Sequence, residues 1–512
     1  MVGVAGKSKA CHDCKRRRVK CDLVKPCCLR CEKVGLACRG YDKNTIFVNR
    51  TLSKQSARAT AAVSETRLCS SYPVQHSASD LFRMFSQLNS SMCNTVIHPP
   101  LFRLDALKIL QELYLPRTKN TDPLDLTAVP CFSWAHAVCH LAGESKVLDE
   151  SLLAFCAIQI SIREPQTTPG DAAFQLYDKA ISSLVNSLGY IHEQVKDETL
   201  AAIIVLSTCE LFIFASDEGW RAHAHGISQL LRHRSAMDER SLLWLRLCSR
   251  LRVICVIIAL SQGTRLALSP GTWAQLLDAD NTNKSFEDLM DIVSEVPSLL
   301  ESCDALQPPT NNEDLLRSLL GRMTNISSWQ QSYRLELHIL PYWAVPSQLH
   351  HPSDDKFAAR LFPLVLEYQS LVVATLFIFS STAMLKILLV ALRLANLSSR
   401  GSRASKTRAI RGDVTIKHSN TIQFCYTVVE MQTEADRLAR LLCQSMEYCL
   451  RQEMGTLGLQ VNCLSQSVLR GYFWQAGRER ELDWVRNISK AYGPGFLCGM
   501  KMMLFHHEQD EV

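Results

Sequence analysis

From about residue 80 onward, apolar residues recur every three or four positions. That is the period of helices with one face in a core. The clearest case is 171–188, where Ala173, Tyr177, Ala180, Leu184 and Leu188 form a stripe with Phe174, Ile181 and Val185 beside it. The same pattern predicts helices over 196–214, 218–234, 241–260, 357–397 (with a break), 421–453 and 459–474. The 218–234 helix has acids near its start and Arg232-His233-Arg234 at its end, an order that suits the helix dipole. Alternation with period two is scarce. Pro99-Pro100, Ser269-Pro270-Gly271, Pro308-Pro309 and Pro494-Gly495 punctuate the pattern. The expectation is a large, mostly all-α body.

One stretch tests that reading. Residues 368–385 carry no charge over a length at the lower edge of a membrane span. They also contain Gln369, Ser370, Thr375, Ser380, Ser381 and Thr382, and Lys386 and Arg393 follow. The pattern therefore predicts a buried core helix, with no membrane.

The first 50 residues follow a different rule. They hold 13 Lys and Arg against four acids, a net charge of +9, whereas the remaining residues sum to −3. Seven of the 21 cysteines fall in this segment: Cys11, Cys14, Cys21, Cys27, Cys28, Cys31 and Cys38. A basic, cysteine-dense head on a near-neutral body points to a polyanion-binding module. The apolar run at the N-terminus is too short for a signal-peptide core, so the cysteines are expected as thiols or metal ligands rather than disulfides.

Their spacing is C-x2-C-x6-C, twice: Cys11, Cys14, Cys21 and then Cys28, Cys31, Cys38. Two equal repeats predict two halves related by a pseudo-twofold axis. Zinc takes four thiolates in a tetrahedron. Six cysteines fill two tetrahedra only if two are shared, and Cys11 and Cys28, each first in its repeat, are the natural bridges. Cys27 breaks the spacing and is set aside as a non-ligand. Between Cys14 and Cys21, five of six residues are cationic: Lys15, Arg16, Arg17, Arg18 and Lys20. Placed on a short helix, such side chains bind phosphates and read guanine edges.

These residues resemble the fungal Zn2Cys6 binuclear-cluster transcription factors. All six cysteines, the basic run Lys15–Lys20, Asp22 after the third cysteine and Pro26 in the connecting loop fit that family. The resemblance implies two zinc ions and a short helix in the major groove of DNA, reading a CGG triplet. The base-contacting positions would be Arg17 and Arg18. Arg18 stands where the family mostly has Lys, a departure that bears on the triplet preference. Lys15, Arg16, Lys20 and Lys25 are better placed for phosphates. The resemblance also implies a nuclear location and regulation of RNA polymerase II transcription through the transcription machinery.

The implied organisation is a disordered N-terminus at 1–10, the Zn2Cys6 module at 11–40, a flexible linker at 41–79 and an all-α regulatory domain at 80–512. Leu52, Ala59, Val63 and Leu68 are too few apolar positions for a heptad series, so a homodimer would have to form through the large domain. That domain resembles the fungal-specific transcription factor domain at Tyr177, Glu210-Leu211-Phe212 and Gly219-Trp220-x-x-His223-x-x-Gly226. This likeness implies regulation, often of a secondary-metabolite gene cluster. His223 and His225 sit on nearly opposite helix faces and are read as packing residues rather than a metal pair. The basic stretch 400–411 reads as a loop, with nuclear import as the other option.

No phosphate-cradling glycine loop, HExxH or GxSxG occurs, so no enzyme is expected. A second reading is a zinc-stabilised adaptor for protein contacts. A RING-like module needs eight ligands and has no use for the cationic run.

Overall fold

A computed structural model of the chain describes residues 11–23, 28–35, 38, 80, 83–87, 89, 99–117, 130–143, 145–163, 170–189, 196–213, 218–234, 242–277, 284–304, 312–401, 410–415 and 421–488. The chain divides into two compact units, 1–71 and 72–512. The first holds α1 (His12–Arg17) and α2 (Leu29–Glu32). Among its described residues, four cysteines, Cys11, Cys14, Cys28 and Cys31, take the place of an apolar core.

The second unit begins its main helices with α3 (Pro99–Leu113), α4 (Pro130–Leu141), α5 (Lys146–Arg163), α6 (Gly170–Leu188), α7 (Asp197–Ile213), α8 (Glu218–Arg234) and α9 (Leu242–Gln262). Helix α7 is apolar on every face, and Thr199 through Phe212 are all buried. It packs between α5, α6, α8 and α9, and this explains why its sequence lacks a polar stripe. Tyr114, Trp134 and Phe155 form an edge-on aromatic cluster that joins α3, α4 and α5.

The chain continues through α10 (Pro270–Leu277), α11 (Lys284–Ser294), α12 (Val296–Asp304) and α13 (Asn312–Glu336). Pro99 and Pro270 each open a helix. Proline's fixed φ and missing N–H cost nothing in the first turn. Ser269 completes the start of α10 by accepting from the Thr272 N–H at 3.1 Å. Two of the four predicted breaks are thus helix starts, and Pro308-Pro309 and Pro494-Gly495 lie outside the described residues.

Two hairpins interrupt the helices. Strand β1 (Tyr342–Pro346) pairs antiparallel with β2 (Leu364–Tyr368), Tyr342 opposite Tyr368. This corrects the helix expected from residue 357. Leu364-Val365-Leu366-Glu367-Tyr368 extends because one edge binds β1 and the strand packs on the helix that starts at Val428. Tyr368 hydrogen-bonds Ser445 at 2.7 Å, and Arg451 grips Glu367 through two bonds of 2.9 and 2.6 Å. Helix α14 (Leu371–Gly401) follows, then the hairpin of β3 (Ile410–Thr415) and β4 (Thr421–Tyr426). The helix expected over 421–453 therefore starts seven residues late. Thr427 and Glu430 form a capping box at its start, with bonds of 3.1 and 2.7 Å.

The last helices are α15 (Val428–Leu450), α16 (Gly455–Val461), α17 (Cys463–Gln475) and α18 (Glu479–Asn487). Residues 371–395 have the length and composition of a membrane span, yet 83% of the most apolar window is buried inside the unit. Helix α14 packs against α13, α15 and α17, as expected of a core helix. Gly455 has φ +62°, and a Cβ there would collide with the backbone of Tyr114 and Leu115. This contact ties α3 to α16, where the Leu457 N–H donates to the Tyr114 carbonyl at 3.0 Å.

His351 illustrates how burial makes stability depend on pH. Its ring stacks on Trp484 at 4.7 Å, and Nδ1 accepts from the Ser353 N–H at 3.1 Å. Burial lowers its pKa below the ordinary 6.5. The unfolded chain then takes up a proton that the native state refuses, so stability should fall as pH drops below about 6.5. Urea unfolding at pH 7.5 and 5.5 checks this. His351→Asn keeps an acceptor for the Ser353 N–H without titrating, and should flatten the difference.

Candidate metal centre and nucleic-acid interface

The structure brings all six predicted cysteines together. Cys11, Cys14, Cys21 and Cys28 form one group, and Cys11, Cys28, Cys31 and Cys38 a second, with every Sγ in a group within 4.8 Å of the others. The two groups share Cys11 and Cys28, the two positions expected to bridge. Within the groups, neighbouring Sγ atoms lie 3.6 Å (Cys11–Cys28), 3.7 Å (Cys14–Cys28) and 3.8 Å (Cys11–Cys31) apart, while Cys14 and Cys31, which sit in different groups, approach to 3.9 Å. A tetrahedron with Zn–S bonds of about 2.3 Å has edges of about 3.8 Å. Donor chemistry and spacing both fit zinc.

The repeat is visible in the backbone as well. The Cys14 N–H donates to Cys11 Sγ and the Cys31 N–H to Cys28 Sγ, each at 3.3 Å. In both halves the first cysteine sits at a helix N-terminus, where peptide dipoles favour a negative sulfur. Burial pushes the Cys14 and Cys28 thiols up to about 12, with neighbouring thiols adding to the effect. Metal binding must therefore displace protons from these sulfurs.

The two halves are joined by Asp22. Its carboxylate accepts from the Leu29 N–H at 3.2 Å and the Arg30 N–H at 2.8 Å, which caps α2. The sequence marked Asp22 only by resemblance; its capping role needed the fold.

The cations are arranged differently from the single helix expected to begin at Cys14. Helix α1 starts at His12 and ends at Arg17. Arg18 has φ +52°, in the left-handed region, and the Val19 N–H returns to the Cys14 carbonyl at 3.1 Å. This closes the helix in the manner of a C-terminal cap, at a conformation that L-residues seldom adopt. Lys15, Arg16 and Arg17 lie on the helix, Arg18 in the turn and Lys20 beyond it. Arg16, Arg17, Arg18 and Lys20 are exposed. Arg16 reaches the buried Asp13 at 3.5 Å, whereas among the described residues no carboxylate pairs with Arg17, Arg18 or Lys20. Lys25 and Cys27 lie outside the described residues.

Two halves of equal spacing, each winding a short helix around a shared pair of cysteines, define a binuclear metal-cluster module with a cationic face. Residues 9–45 match the family profile of the fungal Zn(2)-Cys(6) binuclear cluster domain, and this segment is such a domain. It holds two zinc ions, and proteins of the family bind DNA. The chain is similar to the acriflavine sensitivity control protein acr-2 of Neurospora crassa, 32% identical over 81 residues, 14% of each chain. It is also similar to the arginine metabolism regulation protein II of Saccharomyces cerevisiae, 51% identical over 41 residues, 8% of this chain and 5% of that protein. These alignments span a small part of either relative. No solved structure matches the chain.

In the second unit, the residues singled out around 177–226 meet at one carboxylate. Glu210, on α7, is 4% exposed. Its Oε1 accepts from the Tyr177 hydroxyl on α6 at 2.5 Å and lies 2.9 Å from His223 Nε2 on α8. Gly219 passes so close that a Cβ there would overlap the Glu210 carboxylate. His225 is exposed, so the two histidines do not converge, and only His223 packs against the Glu210 carboxylate.

Proposed function

We infer that the chain is a zinc-dependent, sequence-specific DNA-binding regulator of RNA polymerase II transcription, acting in the nucleus. The observation that carries this reading is the exposed set Arg17, Arg18 and Lys20, without ion pairs among the described residues, beside a six-cysteine cluster with zinc spacing. In this reading Cys11, Cys14, Cys21, Cys28, Cys31 and Cys38 are the zinc ligands, with Cys11 and Cys28 bridging. Zinc supplies the cross-links that a core of four cysteines lacks. Arg17 and Arg18 read guanine edges of a CGG-type triplet, and Lys15, Arg16, Lys20 and Lys25 contact phosphates. Arginine forks to guanine O6 and N7 where lysine makes a point contact, so the Arg at 18 keeps the preference for guanine.

Residues 80–512 serve as the regulatory domain, contacting the transcription machinery and offering a surface for a homodimer. The likeness around residues 177–226 supports a gene cluster for secondary metabolism as the target, which mapping of bound genomic sites would test. The chain acts as a regulator and not as an enzyme, in keeping with the relatives it resembles.

The test is binding of the full chain to a CGG-containing duplex and to a scrambled one, with zinc and with chelator. The expected result is a preference for CGG that chelator abolishes; equal binding to both duplexes would sink the reading and favour a zinc-stabilised adaptor. Arg18→Ala should cost about 1–3 kcal/mol on the CGG duplex and far less on the scrambled one. An equal loss on both would make Arg18 a phosphate contact.

A further inference from the structure

Helix α9 carries two buried arginines two residues apart, and among the described residues only Arg252 is ion-paired. Arg252 is held by Glu287 at 3.1 Å, Asp291 at 2.6 Å and Ser294 at 3.3 Å. Arg250 is 4% exposed, and among the described residues it makes no ion pair. Its Nε has no hydrogen-bond partner, and its guanidinium is placed 5.3 Å from the centre of the Trp134 ring. A buried cation without a counter-charge is costly, and a cation–π contact offsets only part of that cost.

Arg250 lines a cleft formed by α7, α9, α11, α14, α16 and α17. About 770 Å3 of space lies between its walls when the open mouth is counted, so the cleft is open to solvent on one side. Its walls are almost wholly apolar, and no carboxylate lines it among the described residues. Most of its few polar groups are already engaged. Thr375 and Thr382 donate to the Leu371 and Ile378 carbonyls at 2.8 and 2.7 Å. Gln460 accepts from the Tyr114 hydroxyl through Oε1 at 2.7 Å, leaving its amide N–H groups to donate. The uncommitted polar capacity of the cleft is therefore one guanidinium and one amide, both donors.

We propose that this cleft binds a hydrophobic monocarboxylic acid, its carboxylate on Arg250 and Gln460 and its apolar body against Phe286, Met290, Phe379 and Leu464. A carboxylate takes two N–H bonds from a guanidinium side by side. One negative charge neutralises the single cation, whereas a phosphate dianion would leave an excess charge among apolar walls. The inference concerns the second unit alone and is read without DNA, so its failure leaves the zinc-cluster reading untouched.

Calorimetry and thermal shift on the full zinc-loaded chain test it. The probes are dodecanoate, below its micelle concentration, and 2-naphthoate, a linear and an aromatic acid. The controls are dodecanol and 2-naphthalenemethanol. At least one acid should bind ten-fold or more tightly than its alcohol and raise the melting temperature. Binding of neither acid, or equal binding of acid and alcohol, overturns the proposal.

Gln460→Glu keeps an acceptor for Tyr114 and puts a carboxylate into the cleft that Arg250 lines. It should weaken the acid ten-fold or more while leaving the alcohol unchanged. Arg250→Met removes an uncompensated charge. It should also abolish the preference for acid, with an apo melting temperature no lower than that of the parent. Acid binding retained in Gln460→Glu would overturn the assignment even if Arg250→Met fails to fold. A lower apo melting temperature in Arg250→Met would make Arg250 a structural cation.

Discussion

Cys28→Ala is expected to release both zinc ions, whereas Cys38→Ala is expected to leave close to one. The difference follows from membership. Cys28 belongs to both groups of four sulfurs, and Cys38 to one. Removing a shared sulfur leaves two incomplete tetrahedra, and removing an unshared one leaves one intact. Among the described residues the module has little other core, because its buried cluster consists of the cysteines Cys11, Cys14, Cys28 and Cys31. Structural zinc contributes on the order of 10–16 kcal/mol in small metal-folded peptides. Losing both ions should therefore unfold residues 11–38 and remove all preference for a CGG duplex. Zinc per chain, measured by elemental mass spectrometry, is the direct check. One zinc retained in Cys28→Ala would show that the sulfur is not shared. Cys139→Ala is a useful comparison, since this buried thiol lies in the helical unit.

Glu210→Ala is expected to destabilise the helical unit by about 2–5 kcal/mol, because it removes the acceptor shared by the buried Tyr177 hydroxyl and the part-buried His223 ring. The Tyr177 hydroxyl and the His223 ring both point at Glu210 Oε1. Burial and the neighbouring carboxylate raise the Tyr177 pKa, so the hydroxyl stays a donor at any ordinary pH. The carboxylate links α6, α7 and α8, and α7 is the helix buried on all sides. Urea unfolding of the second unit's transition measures the loss. Gly219→Ala provides an independent probe, since its added Cβ pushes on the same carboxylate. A change below about 0.5 kcal/mol in Glu210→Ala would show that the three helices do not depend on the contact.

How much of this was legible depended on whether the signal was local. Helix α8 begins and ends at the residues its charge pattern indicates, and α6, α7 and α9 differ from expectation by one or two residues at their ends. Their apolar stripes are wide and their caps are local. Hairpin β1–β2 was missed because its stabilising partners lie far along the chain. Ser445 and Arg451 come about 80 residues after β2. Leu364–Tyr368 taken alone reads equally well as a turn of buried helix. The same holds for Tyr177, Glu210, Gly219 and His223. The sequence singled them out by likeness, and only the fold shows that they share one carboxylate.

The chain by itself determined its metal centre. Two C-x2-C-x6-C repeats constrain six thiols so tightly that ligand number and sharing follow from valence, and short-range backbone geometry does the rest. It also determined the helical character of the body, since periodicity is a property of neighbouring residues. The tertiary structure alone decided where charge is left unpaired. Arg250 and Arg252 look alike in sequence, two cations on an apolar helix. One meets Glu287 and Asp291, and the other faces an apolar cleft beside Trp134. Pairing depends on which distant elements are packed against a side chain, and that is set by the fold as a whole.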